Sequence, residues 1–131
     1  MSARLFEFKG WADIAIAILL TVKPSVVYDS PITREVSRLS GLHVSDAGAA
    51  PGFNQAIACM VAAVGVGYMV GARSGPAARP ALFSMTLTWG VLSLITCATS
   101  RGSATLLFSG INHVLFSGLS YYFDSSFVKL E

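Results

Sequence analysis

The chain has 131 residues, the size of one domain, and only 12% of them are charged, against the ~25% usual in soluble domains. So few charges cannot coat a water-facing surface, and a mean hydropathy of +0.63 points to lipid as the solvent. A net charge of +2 without a basic run excludes nucleic acid as a partner, and two cysteines set in apolar runs, Cys59 and Cys97, make neither a disulfide framework nor a zinc spacing.

The first predicted element is an apolar helix over residues 11–27. Arg4 and Lys9 precede it as in a secretory signal. However, Glu7 lies among those basic residues, Asp13 interrupts the run, and the A-x-A triplet at 15–17 lies inside it rather than after it. The expectation is a retained first span, with Trp11 and Tyr28 as interfacial anchors and Pro24 kinking or ending the helix. Asp13 and Lys23 are then expected near opposite interfaces, Asp13 as a first-turn charge facing the headgroups.

Residues 29–51 form the long linker. Ser30-Pro31 reads as an N-cap followed by a proline at the first helical position, and Gly41 reads as a stop. Between them Ile32, Val36 and Leu39 share one face, which predicts a short amphipathic helix that lies on the membrane or caps the bundle. The stretch SDAGAAPG is a loop. His43 and Asp46 there amount to two ligands, which is short of a metal site.

Three further runs follow, over residues 53–72, 81–99 and 104–123, each about the 20 residues needed to cross hydrocarbon. The links RSGPAAR and SRGS are short and force antiparallel neighbours. The predicted fold is all-α. It is a single domain, 1–131, forming an integral membrane four-helix bundle with the amphipathic helix between spans one and two. On one side stand Arg4, Lys9, Arg73, Arg79 and Lys129, and on the other Lys23, Arg34, Arg38 and Arg101. The excess of one places both termini in the cytoplasm, and for a eukaryotic chain the membrane is that of the endoplasmic reticulum.

Polar groups in hydrocarbon must find a partner or line a wet cavity. Ser109, His113, Ser117 and Tyr121 recur every four residues and form one stripe on the last span. Asn112 sits about 100° around the axis, at the stripe's edge. Thr86, Trp89, Ser93, Thr96 and Ser100 repeat the pattern on the third span, and the second opens with Asn54, Gln55 and Cys59. At about 1.5 Å per residue, His113 and Trp89 fall near the midplane. Ser109, Ser93 and Cys59 form the next layer, and Asn54 and Gln55 the mouth beside the linker. Tyr121 and Asp13 fall at the opposite interface, with Asp13 about 10 Å from His113 in depth, which argues against a direct Asp–His dyad.

The expected site is a seam that opens toward the linker and ends on His113. His113 and Asn112 are the candidate catalytic pair, His113 as general acid/base and Asn112 orienting it. Asn54, Gln55, Trp89, Ser93, Ser109, Ser117 and Tyr121 are candidate substrate-binding residues, with Thr86 beside Trp89 in the wall. The competing reading makes His113 ballast, a neutral donor of one interhelical hydrogen bond. No Cys-x-x-Cys, haem histidine pair or phosphate loop is present, so no metal and no cofactor is expected. Gly67/Gly71 and Gly110/Gly118 predict close helix packing, with a homodimer through either pair as the minority reading.

Four spans, a proline closing the first, an insert after it and a second span opening PGFNQAIACMVAAVGVGYMVGAR give a layout that resembles the DoxX-like small four-span membrane proteins. It is similar, too, to small membrane proteins of fungal secondary-metabolite clusters. That resemblance covers most of the chain and implies the four-span fold. It also implies a lipophilic polyketide- or terpenoid-like substrate, by association with cyclases and cofactor-free oxygenases of such clusters; no catalytic residue is carried over from it. The functional expectation is a membrane-bound cyclase or isomerase whose partners are lipid and a lipophilic small molecule. The alternative is a non-catalytic accessory or scaffold subunit.

Overall fold

The computed structural model describes residues 2–123. Six α-helices follow one another: α1 (Ser2–Val22), α2 (Ser25–Tyr28), α3 (Pro31–Ser40), α4 (Pro51–Arg73), α5 (Arg79–Cys97) and α6 (Ala104–Phe123). Short 3-10 turns at Ala47–Ala49 and Pro76–Ala78 precede α4 and α5, and there is no strand among the described residues. Lys129, which enters the charge count for orientation, lies outside them.

The first long helix departs from the predicted 11–27. It starts at Ser2 and carries Arg4, Glu7, Lys9 and Asp13 within it. Phe6, Lys9, Gly10, Asp13, Ala17 and Leu20 share its inner face, at steps of three, one, three, four and three, all buried except the half-buried Asp13. Lys9 and Asp13 neutralise each other one turn apart, so the helix can run through both. Pro24 ends it, since proline has no N–H to donate to the Leu20 carbonyl. Lys23 N still donates to Leu19 O at 2.8 Å, and the chain then turns into the one-turn α2.

Helix α3 forms where its signals place it. Ser30 Oγ accepts from Thr33 N at 3.1 Å, Pro31 occupies the first turn, and Gly41 takes φ +74° with its N–H on Ser37 O. Thr33 is buried and its hydroxyl donates to Val27 O at 3.0 Å. The helix packs against α6, and Ala104 N donates to His43 O at 2.9 Å, so α3 and its loop cap one end of the bundle.

The four long helices alternate in direction. Helix α1 packs closely on α4, and α5 on α6, while narrower α4–α5 and α1–α6 contacts join the two pairs. Gly10 and Gly65 set the first close pair: a Cβ on Gly10 would stand 2.6 Å from Gly65 O, and one on Gly65 2.8 Å from Gly10 O. At the end of the bundle opposite α3, Arg73 Nε donates to Glu7 Oε1 at 3.0 Å and ties α4 to α1.

The interior is small and mixed: Phe6, Tyr68 and Leu82 form an apolar cluster, and polar groups are buried beside it. Thr86, Ser93, Ser117, Ser120, Asn54 and Lys9 are buried. The periphery is large and apolar: Phe8, Trp11, Ile18, Val70, Leu92, Ile95, Leu115 and Leu119 are all exposed. The segments Pro51–Arg73 and Pro76–Cys97 are long and apolar enough to cross a membrane.

Candidate functional site

The inward-facing polar groups include a latch, a charged centre and an imidazole. The latch stands where α1 breaks. Asn54, buried in the first turn of α4, donates from Nδ2 to Leu20 O at 2.9 Å. That carbonyl is the one left without an intrahelical donor by Pro24. Asn54 Oδ1 in turn accepts from the Tyr28 hydroxyl at 2.9 Å. Both ends of the carboxamide are therefore engaged in holding the break in α1 against α4.

The charged centre lies toward the other end. Lys9 Nζ donates to both carboxylate oxygens of Asp13 at 2.7 Å, with side-chain exposures of 9% and 16%. The ammonium also lies over the rings of Tyr68 (5.0 Å) and Phe116 (5.9 Å), whose faces attract a cation. Phe6 stacks on Tyr68 and meets Phe116 edge-on, closing the apolar side of the cluster. The Tyr68 hydroxyl bonds to that of Thr86, which donates on to Leu82 O at 2.8 Å. Asp13 is therefore an inward-facing partner of Lys9, not a charge turned to headgroups. The prediction failed because it treated α1 as starting at residue 11, with Lys9 outside it.

His113 is half-buried on α6. Its Nδ1 donates to Ser109 O at 2.8 Å, and Ser109 Oγ receives the indole N–H of Trp89 at 3.1 Å. The Trp89 and His113 rings are 6.0 Å apart, centre to centre. With Nδ1–H engaged, the lone pair of the neutral ring sits on Nε2. Among the described residues Nε2 has no hydrogen bond, and it is not among the sealed-off polar atoms. The Lys9–Asp13 pair forms no hydrogen bond with the ring.

The expected grouping is met in part. Trp89, Ser109 and His113 come together across α5 and α6. Ser93 is buried against Gly110 in the same interface. Ser117 is buried too, but its hydroxyl donates to His113 O at 2.8 Å, one turn back in its own helix. Asn112 is exposed on the outside of α6 and does not orient His113; Ser109 does, since a residue four positions back stacks directly beneath the ring and the adjacent one does not. Tyr121 is exposed. Gln55 is exposed at the rim of an open groove of about 310 Å³ between α1 and α4, which Ala17, Thr21 and Cys59 also line.

A groove of about 380 Å³ beside the linker is lined by Pro24, Tyr28, Asp29 and Asp46 among others, and neither groove includes His113. Asn54, expected at the mouth beside the linker, is engaged with Tyr28 and Leu20. Asp46 of the loop accepts from Gly48 N at 2.8 Å, and the main-chain carbonyl of His43 accepts from Ala104 N at 2.9 Å.

The glycines divide too. A Cβ on Gly71 would meet Leu82 at 2.7 Å, and one on Gly110 would meet Ser93 at 3.0 Å, so both are used inside the bundle. Gly67 and Gly118 face open space, so neither predicted glycine pair presents two glycines on a free surface.

Sequence reading missed Lys9, Tyr68 and the Gly10/Gly65 contact. The i, i+4 spacing of Lys9 and Asp13 was a usable signal for the ion pair. No protein-family model, curated protein or solved structure matches the chain.

Proposed function

We propose that the chain is an integral membrane enzyme in which α1, α4, α5 and α6 are four spans. Its chemistry would be cofactor-free proton transfer, a cyclisation or isomerisation, on a lipophilic polyketide- or terpenoid-like substrate. The large apolar side chains exposed along the long helices, and the length and apolarity of Pro51–Arg73 and Pro76–Cys97, support the membrane setting. The DoxX-like layout favours the same architecture and substrate class.

One observation carries the catalytic part. His113 has its tautomer set by the Ser109 carbonyl, and its Nε2 has no hydrogen-bond partner among the described residues. An ionisable group at that depth is costly to keep without a use. In an isomerisation Nε2 takes a proton from one carbon of the substrate and returns it at another, so no redox partner is needed. The Lys9 ammonium offsets the negative charge that forms in between. Trp89, half exposed over the imidazole, supplies an apolar wall, and the substrate enters sideways from the lipid.

A second reading, a non-catalytic scaffold, is favoured by the complete pairing of Lys9 with Asp13 and Tyr68 with Thr86. The two part on His113→Gln. Host membranes expressing either form are extracted and searched for isobaric species of new retention, because isomerisation conserves mass. The enzyme reading expects such a species with the parent chain and its loss with His113→Gln at equal membrane levels. An unchanged product, or none with either form, leaves the scaffold.

A further inference from the structure

The outer face of α6 carries one residue that its surroundings do not explain. Phe108, Asn112, Leu115, Leu119 and Tyr122 are all exposed and follow one another at steps of four, three, four and three. That is the 3.5-residue repeat of a left-handed helix–helix seam. Four of the five are bulky and apolar or aromatic. The fifth, Asn112, forms no hydrogen bond among the described residues. It lies about 12 Å along a helix about 30 Å long, close to its middle. In lipid such a carboxamide has neither water nor headgroup within reach, so a partner must supply both a donor and an acceptor at that depth.

We propose that α6 pairs with α6 of a second copy of this chain, in parallel, through this seam, with the two Asn112 carboxamides hydrogen-bonded to each other across a twofold axis. This rests on the membrane reading above. A second copy is the occupant that meets every requirement at once. It inserts in the same orientation, so its Asn112 arrives at the same depth without any adjustment of register. A carboxamide is both donor and acceptor, so it is complementary to itself. The flanking residues mirror one another, and Gly118, which has open space over its Cα, leaves room for the neighbouring backbone beside Leu119. Each copy has one such face, so the twofold contact closes as a dimer and does not propagate. The imidazole of His113 lies on the inner side of the helix, so the pairing does not cover it.

The test uses the full chain with Cys59→Ser and Cys97→Ser, carrying single substitutions Phe108→Cys, Leu115→Cys or Leu119→Cys on the seam. Val66→Cys on α4 and Val91→Cys on α5, both exposed elsewhere, serve as controls. Membranes are washed in alkaline carbonate and then oxidised. Disulfide dimers are expected at the three seam positions and not at the controls. In vesicles, energy transfer between labelled copies should give an association constant that falls about 3- to 30-fold with Asn112→Leu. That substitution lies on the outside, so it does not test folding. Equal cross-linking at the controls, or an association unmoved by Asn112→Leu, overturns the dimer while the membrane reading stands. A chain released by carbonate overturns the membrane reading and the dimer with it.

Discussion

Replacing Asn54 by Leu keeps the side-chain volume close and removes both hydrogen bonds of the latch. Leu20 is 3% exposed, and its carbonyl has lost its usual donor to Pro24, so Asn54→Leu leaves a buried acceptor unpaired. Such an orphan costs about 1–3 kcal/mol, and the lost Tyr28 contact adds about 0.5–1.5 kcal/mol, for a total of about 2–4 kcal/mol. The mechanism has a second signature. Pro24 already sits at φ −58°, ψ −26°, so Ala at that position can donate its own N–H to Leu20 O. A carbonyl accepts two donors, so Pro24→Ala leaves the Asn54 bond in place. In the Pro24→Ala background the cost of Asn54→Leu should fall to about 1 kcal/mol, that of the Tyr28 contact alone. Unfolding of the four chains of this cycle in mild detergent, followed by helical circular dichroism, gives the coupling. Equal losses in the two backgrounds would refute the claim that Asn54 replaces the donor proline removes.

The charged centre makes a comparable prediction: Lys9→Met should cost about 3–5 kcal/mol by stranding Asp13, and adding Asp13→Leu should restore most of it, as read by the same unfolding measurement. Gly65→Val should separate α1 from α4, because its Cβ alone would stand 2.8 Å from Gly10 O; the loss is about 1–3 kcal/mol, with a fall in helicity if the pair parts. On the linker, hydrogen bonding from Arg34 holds the Asp29 carboxyl below the usual carboxylate range. Its contribution to stability is therefore present above the unfolded value of about 3.9 and is lost as pH falls through the lower folded value. The gap between the parent chain and Asp29→Asn should accordingly close on acidification from neutral pH, and added salt should shrink it, since both groups face solvent.

How far the fold could be read from the sequence depends on whether the deciding interaction is local. The run free of charge at 104–123 coincides with α6, and α3 lies between a proline-led cap and a left-handed glycine, because caps and charge-free length act within a few residues. The start of α1 could not be found that way. An inward-facing Lys9–Asp13 pair looks, in a linear scan, like the polar flank of a span, and only the aromatic faces of Tyr68 and Phe116 on other helices reveal it as interior. The candidate site splits on the same line. Periodicity placed Ser109, His113 and Ser117 on one face, and all three turn inward or lie at its edge, but rotation of α6 was free in that argument. The neighbours fix it: Gly110 against Ser93, and Gly90 against Val114, allow α6 to approach α5 on one side only, and that turns Asn112 out. The same rotation decides which polar groups are spoken for. Ser117 returns its hydroxyl to its own helix, Asn54 serves a carbonyl orphaned by proline, and Lys9 and Asp13 answer each other. Nε2 of half-buried His113 and the carboxamide of exposed Asn112 form no hydrogen bond among the described residues. They lie about 100° apart around α6, one turned inward and the other outward, so chemistry at the first and association through the second can be altered separately.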